Sequence, residues 1–340
     1  MRYYGGKGKL VDLIYETAAS LIEKECPTVF DVFAGTSIVA RHFKANNFKV
    51  KANDILTFSY YRSVAYIELN EVPAFIALKV SGISCPIHFL NNYPGKCGFI
   101  TNNYSPFGES DRQYLSVRNA EKVDGIREKI EEWYQAKLIN FKEYCYLITC
   151  LIEAINLTSN VTGTYAAYLK KWDKRALNVI KLSHLKIVDN GCCNEAFNKD
   201  AIDLEYGSDV DICYLDPPYN SRQYTSNYFF LELIATGWFD NKPIPKGKTG
   251  MVSFTEKKSE FCSKAKAKNA FSTLIEKITS PIILLSYNNE GIIPHDEILE
   301  ELSKYGSVEE KNTAHKRYRA INQDGSVTKT KESIFILQRK

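Results

Sequence analysis

Hydrophobic and polar positions over the first 55 residues alternate between two periods. Leu10, Leu13, Ile14, Thr17, Leu21 and Ile22 recur at helical spacing. Thr28-Val-Phe-Asp-Val-Phe33 is a short apolar run that stops at Ala34-Gly35-Thr36-Ser37. Ile38 to Ala45 predicts the next helix, and Phe48 to Ala52 the next strand, closing at Asn53-Asp54. Strand, helix and strand with short links are the building block of a parallel sheet. The alternation breaks down from about residue 56, and residues 81–118, rich in Gly, Pro, Asn, Tyr and Ser, predict long loops. Two helices follow. One runs from Lys122 to Lys137 with Val123, Ile126, Ile130 and Trp133 on one face; the other, Phe141 to Leu157, is apolar almost all round and so predicted central. Leu185 to Val188 and Asp211 to Leu215 predict strands, Pro281 to Tyr287 a buried strand, and Asp296 to Tyr305 a helix stopped by Gly306. Residues 313–321 and 333–338 predict two last strands joined through Asn322-Gln-Asp-Gly325, a hairpin signal. The expected architecture is α/β. A mostly parallel sheet with a C-terminal antiparallel hairpin (residues 1–55 and 190–340) is interrupted by a largely helical insertion over residues 56–189.

Composition narrows the class. A folded chain of 340 residues buries about three-quarters of its unfolded surface and needs neither disulfides nor a metal for stability. With 44% hydrophobic and 25% charged residues, a mainly disordered chain is excluded. The nine cysteines are odd in number and contain no Cys-x-x-Cys, and Cys192 and Cys193 are adjacent, so they read as reduced thiols of a cytoplasmic protein. No stretch approaches the ~20 apolar residues of a membrane span, and Met1-Arg-Tyr-Tyr-Gly-Gly-Lys7 is not an export signal, so a soluble protein without a membrane partner is expected. Lys plus Arg exceed Asp plus Glu by 44 to 40, which permits a polyanionic partner without demanding one.

The strongest chemical feature is Leu215-Asp216-Pro217-Pro218-Tyr219, straight after a predicted buried strand. Two prolines remove two backbone donors and fix both φ angles, excluding helix and central strand, and they push Asp216 into an extended conformation. The product is a rigid loop at the carboxyl end of a strand, where open α/β sheets bind ligands. It offers a carboxylate and a carbonyl that can accept two hydrogens of an amino group, and an aromatic face on which a planar ring can stack. Other residues support a ligand site at the same sheet edge. Gly35 suits a loop whose backbone approaches a ligand, and Asp54, at the end of the second strand, suits ribose hydroxyls or an ordinary Asn-Asp turn. No Gly-x-Gly-x-x-Gly accompanies the first strand, which argues against a nicotinamide or flavin site.

On these motifs the chain resembles the S-adenosylmethionine-dependent amino-methyltransferases of DNA, in particular the alpha-ordered group of Dam-type adenine methylases and restriction–modification methylases. Asp216-Pro217-Pro218-Tyr219 has the form typical of adenine-N6 enzymes. Tyr3-Tyr4-Gly5-Gly6-Lys7 is similar to the group's aromatic-x-Gly-Gly-Lys cofactor motif. Asp31-Val-Phe33-Ala-Gly35-Thr-Ser37 is similar to its Asp/Glu-x-Phe-x-Gly-x-Gly loop, with Ser37 in place of the last glycine. The resemblance implies a Rossmann-like methyltransferase sheet with an inserted target-recognition domain. It also implies S-adenosylmethionine as cofactor, held by Tyr3, Lys7 (against the methionine carboxylate), Asp31, Phe33, Gly35, Ser37 and Asp54. The third acid of the cofactor site is expected at Asp200, with Asp203 and Glu205 as rivals. Asp216, Pro217, Pro218 and Tyr219 are the implied catalytic residues, double-stranded DNA the partner, and a restriction endonuclease a separate protein. A monomer or weak dimer is expected.

Contacts to DNA are sought in polar loops. Asn220-Ser-Arg-Gln-Tyr224 brings Arg222 and Tyr224 beside the reacting base, as in related methylases, and Tyr228 and Phe229 either wall that base or face the core. Arg112 and Gln113 suit base edges, and Lys170 and Lys171, with Lys174 and Arg175, suit phosphates. Residues 242–268 carry eight lysines against two glutamates, either a solvated loop or a phosphate-tracking surface, and Lys311, Lys316, Arg317 and Arg319 form a further basic cluster. Cys85, His88, Cys97, Cys192 and Cys193 fit no standard zinc spacing, and no metal is expected. Without a Pro-Cys pair, cytosine-C5 methylation is set aside. The rival readings are a cytosine-N4 or RNA amino-methyltransferase and a catalytically silent specificity subunit of the same fold.

Overall fold

A computed structural model of the chain describes residues 6–240, 242–321 and 327–340, with the backbone path alone for 313–321 and 327–331. Tyr3, the 322–325 turn and the side chains of Lys316, Arg317 and Arg319 lie outside the described residues. The chain forms two compact units. One comprises Lys7–Ile55, Cys192–Gln223 and Lys257–Lys340; the other takes Gly6, Leu56–Gly191 and Tyr224–Glu256.

The first unit is built on a seven-stranded sheet: β1 (Thr28–Asp31), β2 (Lys49–Asn53), β3 (Glu195–Phe197), β4 (Ile212–Leu215), β5 (Ile282–Asn288), β6 (Gly306–Ile321) and β7 (Val327–Arg339). Their order is β3-β2-β1-β4-β5-β7-β6. β3, β2, β1, β4 and β5 run parallel, while β7 is antiparallel to both β5 and β6. Every residue of β1 and β4 is buried, as expected for parallel strands covered on both faces. Phe30, Cys213, Leu215, Ile283, Leu285, Phe335 and Leu337 pack with Phe271, Leu274 and Ile275 of the helix Ala267–Lys277 and with Ile298 and Leu302 of the helix His295–Ser303. Strand order reverses between β1 and β4, where Asp31 pairs with Tyr214, so the loops leaving these two strands open side by side at a topological switch point.

Three expectations are corrected. Residues 185–188 are not a strand, and in the extended run that leads into them side chains take backbone groups. Asn119 donates to Asn178 O and accepts from Ile180 N, Asn91 does both with Leu182, and Tyr146 Oη accepts from Leu185 N. The third strand is instead Glu195–Phe197, too short and too polar to announce itself. Residues 81–118 hold two helices, Pro86–Asn92 and Phe99–Tyr104. The second starts on a distant acceptor, Asp124, whose carboxylate takes the amides of Gly98, Ile100 and Thr101 and the Thr101 hydroxyl. Gly306 opens β6 rather than closing a helix.

Residues 224–256 fold with the helical unit rather than with the sheet. One buried carboxylate accounts for much of this. Glu232, in the helix Tyr224–Thr236, accepts from the amides of Thr57 (2.9 Å) and Phe58 (3.0 Å), the open N-terminus of the helix Thr57–Ser63. Among the described residues no helix is long and apolar enough to cross a membrane. Glu232→Ala leaves both amides unsatisfied inside the unit, and a loss of about 2–4 kcal/mol is expected, read as a lowered urea midpoint at unchanged slope.

Candidate active site

The loops at the carboxyl edge of the sheet are tied together by their own side chains. Ala34 N donates to Asn53 O (2.9 Å) and Gly35 N to Asp54 Oδ2 (2.8 Å). Gly35 (φ 50°) and Ser37 (φ 56°) both lie in the left-handed region, so the position where the related motif has glycine is one where a side chain costs about 1–2 kcal/mol. Asn53 donates to Val32 O and Lys199 O and accepts from Lys199 N, and Asn198 donates to the carbonyls of Asp54 and Ile55. Asp54 and the 198–200 loop are thereby held beside the loop that follows β1. Asp200 is partly buried and accepts from Ile202 N, whereas its rivals Asp203 and Glu205 are exposed. Phe33 packs edge-on against Phe261, with ring centroids 5.3 Å apart.

Charge concentrates at the switch point. Lys7, 6% exposed, places Nζ 3.1 Å from Asp216 Oδ1 and in direct contact with Glu332 Oε1. Ser286 Oγ donates to the same Glu332 oxygen (3.0 Å). Burial works against the Lys7 charge, but Asp216 and Glu332 more than offset it and raise its pKa. Burial pushes the Asp216 carboxyl up to about 6; Lys7 opposes the shift and the Glu332 charge adds to it. Asp31, at the end of β1, is 1% exposed and its Oδ1 has no hydrogen-bond partner. Burial, then the charges of Asp216 and Asp54, raise its pKa well above the carboxylate range, against the amides of Ala40 and Phe33. The Tyr219 ring packs on the sheet core, and its carbonyl accepts from Ile292 N (2.9 Å), pinning the Asp-Pro-Pro-Tyr loop.

Lys7, expected to face the cofactor's methionine, has its ammonium between Asp216 and Glu332. Glu332 was missed because it follows Lys7 by 325 residues. Its only signal is an acid at the head of the apolar run Ile334-Phe-Ile-Leu337 in a predicted strand.

The residues expected to contact DNA divide in two. Arg222, Lys170 and Lys171 are exposed, and Tyr224 is partly exposed with its ring 6.2 Å from that of Tyr228. Tyr228 and Phe229 are fully buried core residues, which decides between their two readings. Gln113 is partly buried and its Oε1 has no partner. Arg112 does not present itself to a base. It is buried and donates to the carbonyls of Asn103, Gly247 and Lys248. No cluster of three or more metal-ligating side chains occurs among the described residues.

Over residues 3–313 the chain matches the family model of the D12 class N6 adenine-specific DNA methyltransferases. It belongs to this family. It is similar to the type II methyltransferase M.FokI of Planomicrobium okeanokoites, 43% identical over 91% of this chain and 48% of that protein. It is also similar to the modification methylase StsI of Streptococcus sanguinis, 42% identical over 100% of this chain and 52% of that protein. The chain thus spans about half the length of these curated relatives. The type II methyltransferase M.NlaIII of Neisseria lactamica, 34% identical, is matched along 99% of its length. The match runs from the N-terminal segment through the insertion to residue 313, so Asp31, Asp54, Asp200 and Asp216 lie within it, while Glu332 lies beyond it.

The triad of Lys7, Asp216 and Glu332 sets opposite expectations for two variants. Lys7→Met removes the cation that favours ionised Asp216 and should raise the Asp216 titration midpoint. Glu332→Gln removes a like charge and should lower it. Carboxyl-carbon NMR titration checks both directions against a starting midpoint of about 6.

Proposed function

We propose that this chain is a site-specific DNA methyltransferase that transfers a methyl group from S-adenosylmethionine to the N6 amino group of adenine, as the modification enzyme of a restriction–modification system. The observation that carries the reading is the Asp216 carboxylate, held by a buried lysine at the head of a double-proline loop where the strand order reverses.

The exocyclic amino group of adenine is a poor nucleophile, because its lone pair is delocalised into the ring. Asp216 and the Pro217 carbonyl accept its two hydrogens and favour a tetrahedral nitrogen whose lone pair points at the incoming methyl. Pro217 and Pro218 keep those acceptors from moving, so catalysis is by positioning. Lys7 keeps Asp216 ionised and therefore an acceptor only. A carboxyl whose pKa lies near 6 can then take the proton that the nitrogen sheds once it is methylated. Tyr219 stacks on the base, which must leave the duplex at a cost of roughly a few kcal/mol.

S-adenosylmethionine, when bound, supplies an already activated methyl group, so no covalent enzyme intermediate is needed. The residues of the sheet edge suit it. The unpartnered, buried Asp31 oxygen calls for a donor, which the ammonium of the methionine moiety provides. Asp54 is the acid for the ribose hydroxyls, Asp200 for the adenine amino group, and Phe33, Gly35 and Ser37 form the loop against the ligand. Residues 56–189 are proposed as the target-recognition domain, double-stranded DNA as the substrate, and a separately encoded endonuclease as the functional partner. The enzyme would act in the cytoplasm as a monomer or weak dimer.

Asp216→Ala should abolish methyl transfer to DNA while leaving cofactor affinity within a few-fold; a labelled-methyl assay beside calorimetry separates the two, and transfer at near wild-type rate removes Asp216 from the chemistry. Asp54→Ala should weaken cofactor binding by about 1–3 kcal/mol, the size of a lost charge-assisted hydrogen bond. Unchanged calorimetric affinity in the folded variant would take Asp54 out of the cofactor site.

A further inference from the structure

Four consecutive carbonyls of the turn Gly247-Lys248-Thr249-Gly250 each face a buried side-chain donor of the same helical unit. Arg112 Nη2 donates to Gly247 O (3.0 Å) and Arg112 Nε to Lys248 O (3.2 Å). Tyr104 Oη donates to Gly250 O (2.8 Å), and Tyr114 Oη shares its one proton between Thr249 O (3.0 Å) and Tyr165 O (2.9 Å). Tyr104 and Tyr114 are fully buried and Arg112 is 7% exposed. The base of the turn is closed by paired bonds between Lys246 and Met251. The guanidinium fits so closely that a Cβ at Gly250, itself at φ 67°, would stand 2.8 Å from Arg112 Cζ. An arginine suits this place because its rigid fork reaches several carbonyls at once.

In a trans peptide the C=O and N–H point in opposite directions. With the carbonyls of Gly247 and Lys248 turned inward to Arg112, the amides of Lys248 and Thr249 face the other way. Neither amide has an acceptor among the described residues. Lys246 and Lys248 flank them, both exposed and without an ion pair among the described residues. Farther along the same basic stretch Lys258 and Lys264 are likewise exposed and without an ion pair among the described residues, whereas three others are engaged. Lys257 donates to Ile55 O, Lys266 pairs with Glu260 and Lys268 with Glu297. Outward amides of a tight turn beside cationic side chains form an anion-binding concavity.

We infer that the turn 246–250 binds a phosphate of the DNA backbone, and that Arg112 is a positioning residue that holds the turn rather than a reader of bases. The inference rests on the reading of the chain as a DNA-modifying enzyme. It assigns the Lys246/Lys248 pair to sequence-independent affinity and leaves the choice of target to other residues.

The test measures DNA affinity against salt, methyl transfer, and preference for the methylated site over near-cognate sites. It compares the wild-type chain with Lys246→Ala/Lys248→Ala, Arg112→Ala, and all three changes together. The lysine pair is exposed, so its double variant should keep the wild-type melting temperature. It should bind all sequences more weakly, by about eightfold per lost contact at 0.1 M salt, with a salt slope lower by about 1 per contact. Arg112→Ala should lower the slope in the same way, leave the preference ratio unchanged, and add less than twofold to the lysine double variant. A wild-type slope in the lysine variant overturns the phosphate site. A loss confined to one base position in Arg112→Ala, multiplying with the lysine changes, overturns the positioning role. If Arg112→Ala unfolds, Gly250→Ala replaces it, with the same two outcomes. A wild-type chain that neither binds nor methylates DNA refutes the functional reading itself, and the turn assignment with it.

Discussion

The Lys7 ammonium, enclosed between Asp216 and Glu332, is the interaction on which the sheet edge depends. At about 3 Å and an effective dielectric of about 20, each contact is worth roughly 5 kcal/mol before desolvation, and removing each ion from water costs several kcal/mol. The two carboxylates offset the burial of the lysine, and the lysine opposes the upward shift that burial imposes on Asp216. One cation cannot serve three acids. Asp31 lies within reach of the Asp216 charge with no cation of its own, and its pKa rises furthest from the carboxylate range. The acids at the sheet edge are thereby separated into one kept ionised by an ammonium and one awaiting a donor. That separation is the electrostatic basis for giving them different tasks.

This arrangement explains a use for the antiparallel strand β7. Its pairing with β5 sets Glu332 opposite Asn288, close enough for Ser286 to hold the carboxylate. The C-terminal hairpin thus completes the covering of the sheet and also delivers the second acid around Lys7. In a purely parallel sheet this position would be reached only after another crossover helix.

The helical unit solves a different problem. Its many Asn, Asp, Arg and Tyr residues suggest a surface for reading bases, yet a large share of them hold backbone. Asn91 and Asn119 hold an extended segment, Asp124 and Glu232 start helices, and Arg112, Tyr104 and Tyr114 grip a turn. Irregular backbone inside a folded unit needs such partners, because each unsatisfied buried group costs about 1–3 kcal/mol. Polar composition in this unit thus reports internal cross-linking as much as molecular recognition.

Local chemistry made much of the protein legible from its sequence. The apolar run before Ala34 and the one before Asp216 are buried strands, and Gly35 and Ser37 are where backbone needs the left-handed region. The two prolines constrain their loop wherever it is placed, and the helix periods at 38–45 and 141–157 carry their own burial pattern. These features depend on neighbours a few residues apart, so the order of residues determines them. What tertiary structure decided are the partners. Lys7 lies between Asp216 and Glu332, Arg112 faces a turn 135 residues away, and a polar three-residue segment rather than Leu185–Val188 joins the sheet. A charged or hydrogen-bonding side chain is satisfied by any suitable group that the fold brings within about 3 Å, and no local period encodes which one arrives.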